Sequence, residues 1–225
     1  MTTENAHNQS APKTQGRTIP WASYYDIVVR MVSFGKDKAI RKASAELAQI
    51  NPGDKVLDVG CGTGDLTLEA KKLAGAAGRV YGIDASPNMI EQARKKAARI
   101  GSDVTFQVGL IENIDFPENQ FDVVLSSLMM HHLPDGLKRA GLAEIYRVLK
   151  PGGRLLIVDM QSTSSGLLGQ RLTDFMIQIH GGHAAMQDNI TKQISFVEAA
   201  GFSIAETEKI NRQLSYILAR KPTSK

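Results

Sequence analysis

The sequence predicts a doubly wound α/β fold, with a mostly parallel seven-stranded sheet that ends in an antiparallel hairpin. Three observations point there. From Lys55 onward, short apolar runs alternate with amphipathic stretches. The runs are rich in β-branched residues and do not alternate apolar with polar, as expected of parallel strands buried on both faces. The cadence changes only near the C-terminal end, where two strand-like segments meet at Asn211-Arg212. Strand, helix, strand, helix in that order means a parallel sheet with helices on its faces.

The elements follow in order. MTTENAHNQSAPKTQGRTIP, residues 1–20, is polar, lacks an apolar core and reads as a disordered tail, not a secretory signal. Trp21 to Gly35 is aromatic and apolar. A helix fits Asp37 to Ile50, with Ile40, Ala43, Leu47 and Ile50 at helical spacing, and Pro52-Gly53 turns the chain. Strands fit Val56–Val59, Val80–Ile83, Val104–Val108, Phe121–Leu125 and Leu155–Val158. Helices fit Leu66–Leu73, Pro87–Ile100 and Leu137–Leu149. Ser86-Pro87 is a helix start, with serine as cap and proline at the first helical position. Gly166–Ile179 and Ile190–Ala200 read as helices, and Phe202–Ile210 and Gln213–Ala219 as the closing hairpin.

Composition bounds the function. The 225 residues, 42% hydrophobic and 22% charged, suit one soluble domain with a substantial core. A single cysteine, Cys61, excludes an internal disulfide framework and a cysteine metal cluster, and fits the cytoplasm. No apolar run approaches the roughly 20 residues that span a bilayer, which leaves at most peripheral membrane contact. The net charge of +4 is modest, and much of the excess lies in Arg94, Lys95, Lys96 and Arg99, read as a solvated helix face.

The chemistry concentrates in VLDVGCGTGDL, Val56 to Leu66. An apolar strand runs into Gly60, Gly62 and Gly64 and then a helix. Glycine lets the chain turn sharply and lets a ligand approach the main chain. This first strand-to-helix turn lies at the carboxyl edge, where doubly wound sheets bind ligands. The dinucleotide fingerprint has the spacing G-x-G-x-x-G; here it is G-x-G-x-G, preceded by Asp58. An acid beside the loop repels a pyrophosphate and attracts a cation. S-adenosylmethionine carries an ammonium and a sulfonium. A second acid, Asp84, ends the next strand twenty positions after Gly64, the separation at which a carboxylate accepts from ribose hydroxyls.

Together Asp58–Gly64 (DVGCGTG), Gly82–Ser86 (GIDAS), Phe121–Leu125 (FDVVL) and Leu149–Gly153 (LKPGG) resemble the successive motifs of class I S-adenosylmethionine-dependent methyltransferases. Tyr25-Asp26, Ser33-Phe34-Gly35 and Gly62-Thr63-Gly64-Asp65 are most similar to the ubiquinone/menaquinone-biosynthesis C-methyltransferases. The stretch Ser126 to Pro134 (SSLMMHHLP) departs from that family towards broader small-molecule methyltransferases. Gly109-Leu110-Ile111-Glu112 replaces the class's Gly-Asp-Ala-Glu, so adenine is left to backbone and apolar contacts.

The resemblance implies a Rossmann-like fold and S-adenosylmethionine as cofactor. It implies that Asp58, Gly60, Cys61, Gly62 and Gly64 cradle the methionine part and that Asp84 and Ala85 meet the ribose. Met89, Leu110 and Ile111 would flank adenine, Ser126 would lie near the methionine end, and Tyr25 would close over the carboxylate. It further implies one domain, 21–225, with an N-terminal helical cap and a substrate lid over 160–190 rich in apolar residues such as Leu168, Leu172 and Phe175. A small, largely apolar acceptor of quinol or phenol type follows, methylated on carbon or oxygen. Thiols, amines and other natural products are the alternatives, with RNA and a non-enzymatic cofactor-binding role behind them. His131 and His132, after the fourth strand, are the candidate bases. His180 and His183 have ligand-like spacing, but the two glycines between them break a helix, and no metal is expected. No nucleic-acid signature follows the fourth strand, and a monomer or homodimer is expected.

Overall fold

The computed structural model describes residues 37–160, 190–211 and 214–223. The expectations for the 1–20 tail, Trp21–Gly35, the Gly166–Ile179 helix, His180 and His183 therefore lie outside the described residues. No helix among those described is long and apolar enough to cross a membrane.

The chain begins with α1 (Asp37–Leu47). It then alternates β1 (Lys55–Val59), α2 (Asp65–Ala74), β2 (Arg79–Asp84), α3 (Pro87–Arg99), β3 (Thr105–Val108) and β4 (Phe121–Ser127). A 3₁₀ turn (Met130–His132) leads to α4 (Asp135–Val148) and β5 (Leu149–Met160), and the described chain resumes with α5 (Ile190–Ala199), β6 (Ser203–Lys209) and β7 (Leu214–Arg220). The seven strands form one sheet in the order β3-β2-β1-β4-β5-β7-β6. β3 to β5 are parallel, and β7 lies antiparallel between β5 and β6. The strand order turns back between β1 and β4, so a crevice opens outside their carboxyl ends.

Each sheet face carries its own core. Leu57, Val59, Val124, Leu155 and Ile157 pack against Leu142 and Ile145 of α4 and Phe196 and Val197 of α5. Val56, Val123, Leu125, Leu156 and Val158 pack against Ala45 and Ala48 of α1 and Leu66 and Ala70 of α2. Adjacent residues thus bury on opposite faces, which explains the unbroken apolar runs. Phe121 is fully buried, edge-on to the rings of Tyr81 and Phe116.

Three boundaries or faces differ from the sequence reading. α1 stops at Leu47, three residues early, because Gln49 takes φ 54° and turns the chain. β5 starts at Leu149, where the sequence reading ends a helix and six residues before its strand at Leu155. Its pairing with β4 shifts register between Phe121 and Val123, and Gly152, at φ 78°, donates its N–H to the Lys221 carbonyl at 2.8 Å. A bulge thus carries Pro151-Gly152-Gly153 without ending the strand. The basic face of α3 is only partly solvated. Arg94 donates twice to the Phe106 carbonyl (2.9 and 2.7 Å), and Lys96 donates to Thr63 Oγ1 (2.9 Å) and Asp65 Oδ1 (2.7 Å). Lys95, paired with Glu91 on the surface, and Arg99, exposed near the helix end, behave as expected.

Candidate functional site

The crevice between β1 and β4 holds a cleft of about 1020 Å³, its open mouth included, lined by the loops at the carboxyl ends of the parallel strands. Its floor is the glycine loop after β1. Gly60, Gly62 and Gly64 have φ of 72°, 54° and 85°, left-handed values that favour glycine. Gly60 and Gly62 line the cleft, as does Cys61, whose buried thiol is pushed well up by desolvation. A Cβ at Gly60 would lie 2.4 Å from Met129 Cγ, so the loop passes directly beneath the chain that leaves β4.

Gly64 does not line the cleft. It precedes α2, and a Cβ there would lie 2.6 Å from the Phe106 ring. It therefore lets the loop approach β3 and α3 and offers no surface to a ligand, which corrects its expected place in the cradle.

Asp84 anchors the loop. Its Oδ2 accepts the Gly62 N–H at 2.9 Å and its Oδ1 accepts the Ser86 N–H at 2.8 Å. The next helix is capped by Ser86, whose Oγ accepts from Met89 N. Burial raises the Asp84 carboxyl above its usual range, and the two N–H donors partly offset this. Ala85 and Met89 continue one wall, and Leu110, Ile111 and Glu112 form its far side. Glu112 thus borders the cleft as well.

Asp58 lies deeper, 2% exposed, and accepts a 2.6 Å hydrogen bond from Thr67 Oγ1. Burial pushes its carboxyl up to about 6; the Thr67 hydroxyl and Arg41 pull the other way. A carboxyl raised in the folded state gives stability that is complete below the unfolded value near 4 and is lost as pH rises through 6. In neutral solution the ionised Asp58 therefore opposes folding by about 3 kcal/mol. A bound cation would relieve that cost.

One site expectation shifts by one residue and another narrows to one of two. Ser126 is 1% exposed and belongs to the face covered by α4 and α5, outside the cleft; Ser127 lines the cleft instead. Ser127 Oγ accepts a 2.8 Å hydrogen bond from Arg41 Nη1. Of the two histidines, only His132 lines the cleft. His131 is buried, with Nδ1 2.5 Å from Asp159 Oδ1 and its backbone N–H donating to Asp159 Oδ2 at 2.9 Å. The chain reaches this turn through Leu128, a non-glycine residue at φ 55° held by its N–H to the Val158 carbonyl. Such strain tends to mark functional sites. Tyr25 lies outside the described residues.

Arg41 is the most informative residue missed in the sequence. It stands on α1, opposite Asp58 across the cleft head, and nothing in DKAIRKASAEL distinguishes it from its solvated neighbours. Thr63, Asp65, Leu128, Met129 and Leu133 also line the cleft unexpectedly. The lining thus combines charged groups, Arg41, Asp58, Asp65, Asp84 and Glu112, with apolar ones, Leu110, Ile111, Leu128, Met129 and Leu133, and with His132.

Comparison with known proteins agrees with this architecture. Residues 56–153 match the methyltransferase domain family. The chain is 33% identical over 174 residues to the demethylmenaquinone methyltransferase of Deinococcus radiodurans, covering 75% of this chain and 71% of that protein. It is 34% identical over 164 residues to the ubiquinone/menaquinone biosynthesis C-methyltransferase of Hydrogenovibrio crunogenus, covering 72% of this chain and 64% of that one. It thus spans less than two thirds of the latter's length. An S-adenosylmethionine-dependent methyltransferase from Aquifex aeolicus superposes with a TM-score of 0.72 at 21% identity, over 91% of this chain and 99% of that one, and shares the fold. The chain belongs to the class I S-adenosylmethionine-dependent methyltransferases.

Proposed function

We propose that this protein transfers a methyl group from S-adenosylmethionine to a small, largely apolar acceptor bearing an ionisable hydroxyl, of the quinol or phenol type. The observation that carries this reading is the make-up of one cleft: Arg41, Asp58 and Asp84 with the glycine loop, and apolar side chains with the His132 imidazole. The names of the Deinococcus and Hydrogenovibrio relatives point to the same acceptor class.

The residues fit the cofactor. Gly60 and Gly62 admit the methionine chain against the backbone. Arg41 would pair with its carboxylate and Asp58 with its ammonium. Asp84 has lone pairs left for the ribose hydroxyls, and Met89 and Ile111 flank the purine. When bound, the cofactor supplies a methyl group on a sulfonium that leaves as a neutral thioether. The protein's own task is then to position the acceptor, exclude water and remove a proton. His132 takes the hydroxyl proton as the acceptor's electron pair is committed to the new bond, and the imidazolium later returns the proton to solvent.

His132→Ala should lower turnover of 1,4-naphthohydroquinone by about 10²-fold while sparing cofactor affinity, since a positioned base contributes roughly 10²–10⁴. The loss should shrink at high pH, where the hydroxyl ionises unaided. Full turnover in the variant would remove the base role. Transfer to thiols, amines or transcribed RNA in preference to any quinol or phenol would overturn the acceptor class.

The Asp58 carboxyl predicts a pH effect on binding. An ammonium favours the ionised form, so affinity should be flat near pH 7 and fall below pH 6, approaching tenfold per unit. Calorimetric titration between pH 7.5 and 5, at constant ionic strength, checks this. Constant affinity over that range would place the ammonium elsewhere.

A further inference from the structure

Behind the cleft wall, on the face covered by α4 and α5, lies a buried polar cluster that the binding of the cofactor does not use. Ser126 and Asp159 are each 1% exposed, Gln193 4% and His131 9%. Asp159 gathers the group. It accepts the His131 backbone N–H and faces His131 Nδ1, and Gln193 Nε2 of α5 donates to its Oδ2 at 3.2 Å. A carboxylate that is ionised only accepts, and opposite such an acceptor Nδ1 is the ring nitrogen that would carry the proton. Among the described residues, Ser126 Oγ and Gln193 Oε1 have no hydrogen-bond partner, so this core is not merely a closed polar plug.

The cluster reaches the cleft through a ring contact. The His131 and His132 rings lie 3.9 Å apart, centroid to centroid, inclined by 43°. His132 borders the cleft and His131 does not. On the cleft side, among the described residues, the ionisable groups besides His132 are Arg41 of α1, Asp58, Cys61 and Asp65 around the glycine loop, Asp84 at the end of β2 and Glu112 after β3. The covering helices contribute the buried Lys138 and the Asp135–Lys192 ion pair. On the core side the carboxylate is Asp159.

We propose that Asp159, seated by Gln193, is a positioning residue. It fixes His131 in its Nδ1–H tautomer and holds that carboxylate-polarised ring against His132, so that His132 carries a proton more readily once it has taken one from the acceptor. This rests on His132 being the base proposed above. It extends that role to residues that touch neither cofactor nor acceptor. The face of an electron-rich ring favours a neighbouring cation, and a carboxylate behind it strengthens the effect.

The test begins with the unaltered, cofactor-free full chain. Nitrogen-15 NMR should find the His131 proton on Nδ1; a proton on Nε2 alone overturns the proposal without any variant. In Asp159→Asn, the His132 titration midpoint should move to lower pH. With 1,4-naphthohydroquinone as acceptor, the acid limb of the pH–rate profile should move in the same direction and the plateau should fall about tenfold, with cofactor affinity unchanged. His131→Phe, which keeps a ring but cuts the link, should act in the same direction. A loss of turnover with an unmoved His132 midpoint would make the cluster structural and overturn the proposal. If the midpoint moves but the unaltered protein does not methylate the quinol, the acceptor reading fails while the positioning stands.

Discussion

Asp84→Ala should weaken S-adenosylmethionine binding by one to two orders of magnitude. Two losses combine. The ribose loses a charge-assisted acceptor, worth roughly 1.5–3 kcal/mol. The Gly62 N–H, 2.9 Å from Asp84 Oδ2, loses the partner that holds the loop in its left-handed course. The fold should suffer less than the site. Burial already disfavours the ionised Asp84 carboxylate, so its removal also relieves a desolvation cost. Calorimetry on the folded variant, paired with thermal denaturation without cofactor, separates the effects. Unchanged affinity would take Asp84 out of the cofactor site.

Gly64→Val should cost the fold about 3–5 kcal/mol, combining a strained left-handed residue with a steric overlap. The residue sits at φ 85°, and its Cβ would approach Phe106 Cζ to 2.6 Å and the Ala93 Cβ to 3.1 Å. The Phe106 ring is 3% exposed, wedged among Cys61, Ile90 and Ala93, and has little room to yield. Gly101 provides the control. Its φ is 65°, and a Cβ there meets nothing within 4 Å, so Gly101→Val carries a positive-φ strain without the overlap. Denaturant unfolding of both variants should show Gly64→Val as clearly the less stable. Equal losses would mean that α3 and β3 shift to make room.

The fold was legible because both sheet faces are covered. Covered faces force unbroken apolar runs, and these located β1, β2 and β4 to within two residues at either end. The glycine loop was legible for a similar reason: three left-handed turns in five residues admit little but glycine. The same double burial hid the side-chain phase. In a strand where Val124, Leu125, Ser126 and Ser127 are all buried, composition does not say which serine faces the cleft. Only the packing of α1, whose Arg41 reaches Ser127, decides it.

His131 and His132 were located as a pair for their position after β4. Their division into a buried and a cleft-lining ring depends on Asp159, twenty-eight positions on from His131. Lys96 looked like part of a solvated face because Asp65 and Thr63, its partners, are some thirty residues upstream. β5 was misjudged at its start because Pro151-Gly152-Gly153 has turn composition. The bulge is held by Lys221, far along the chain, whose N–H donates to the Gly153 carbonyl at 2.9 Å.

The placement of β7 between β5 and β6 has a consequence for the order of assembly on the ribosome. β6 is synthesised first, yet among the described strands its one neighbour is β7. Until β7 emerges, β6 has nothing to pair with and the outer edge of β5 stays open. The sheet from β3 to β5 can form meanwhile, since each of those strands finds its neighbour in chain already made. β6 and β7 then join as a preformed hairpin. Closing such a local pair takes microseconds, far faster than the addition of a single residue at about 5–20 per second. A nascent chain arrested before Leu214 should therefore expose the β5 edge to chaperones and proteases, and the 225-residue chain released from the ribosome should not.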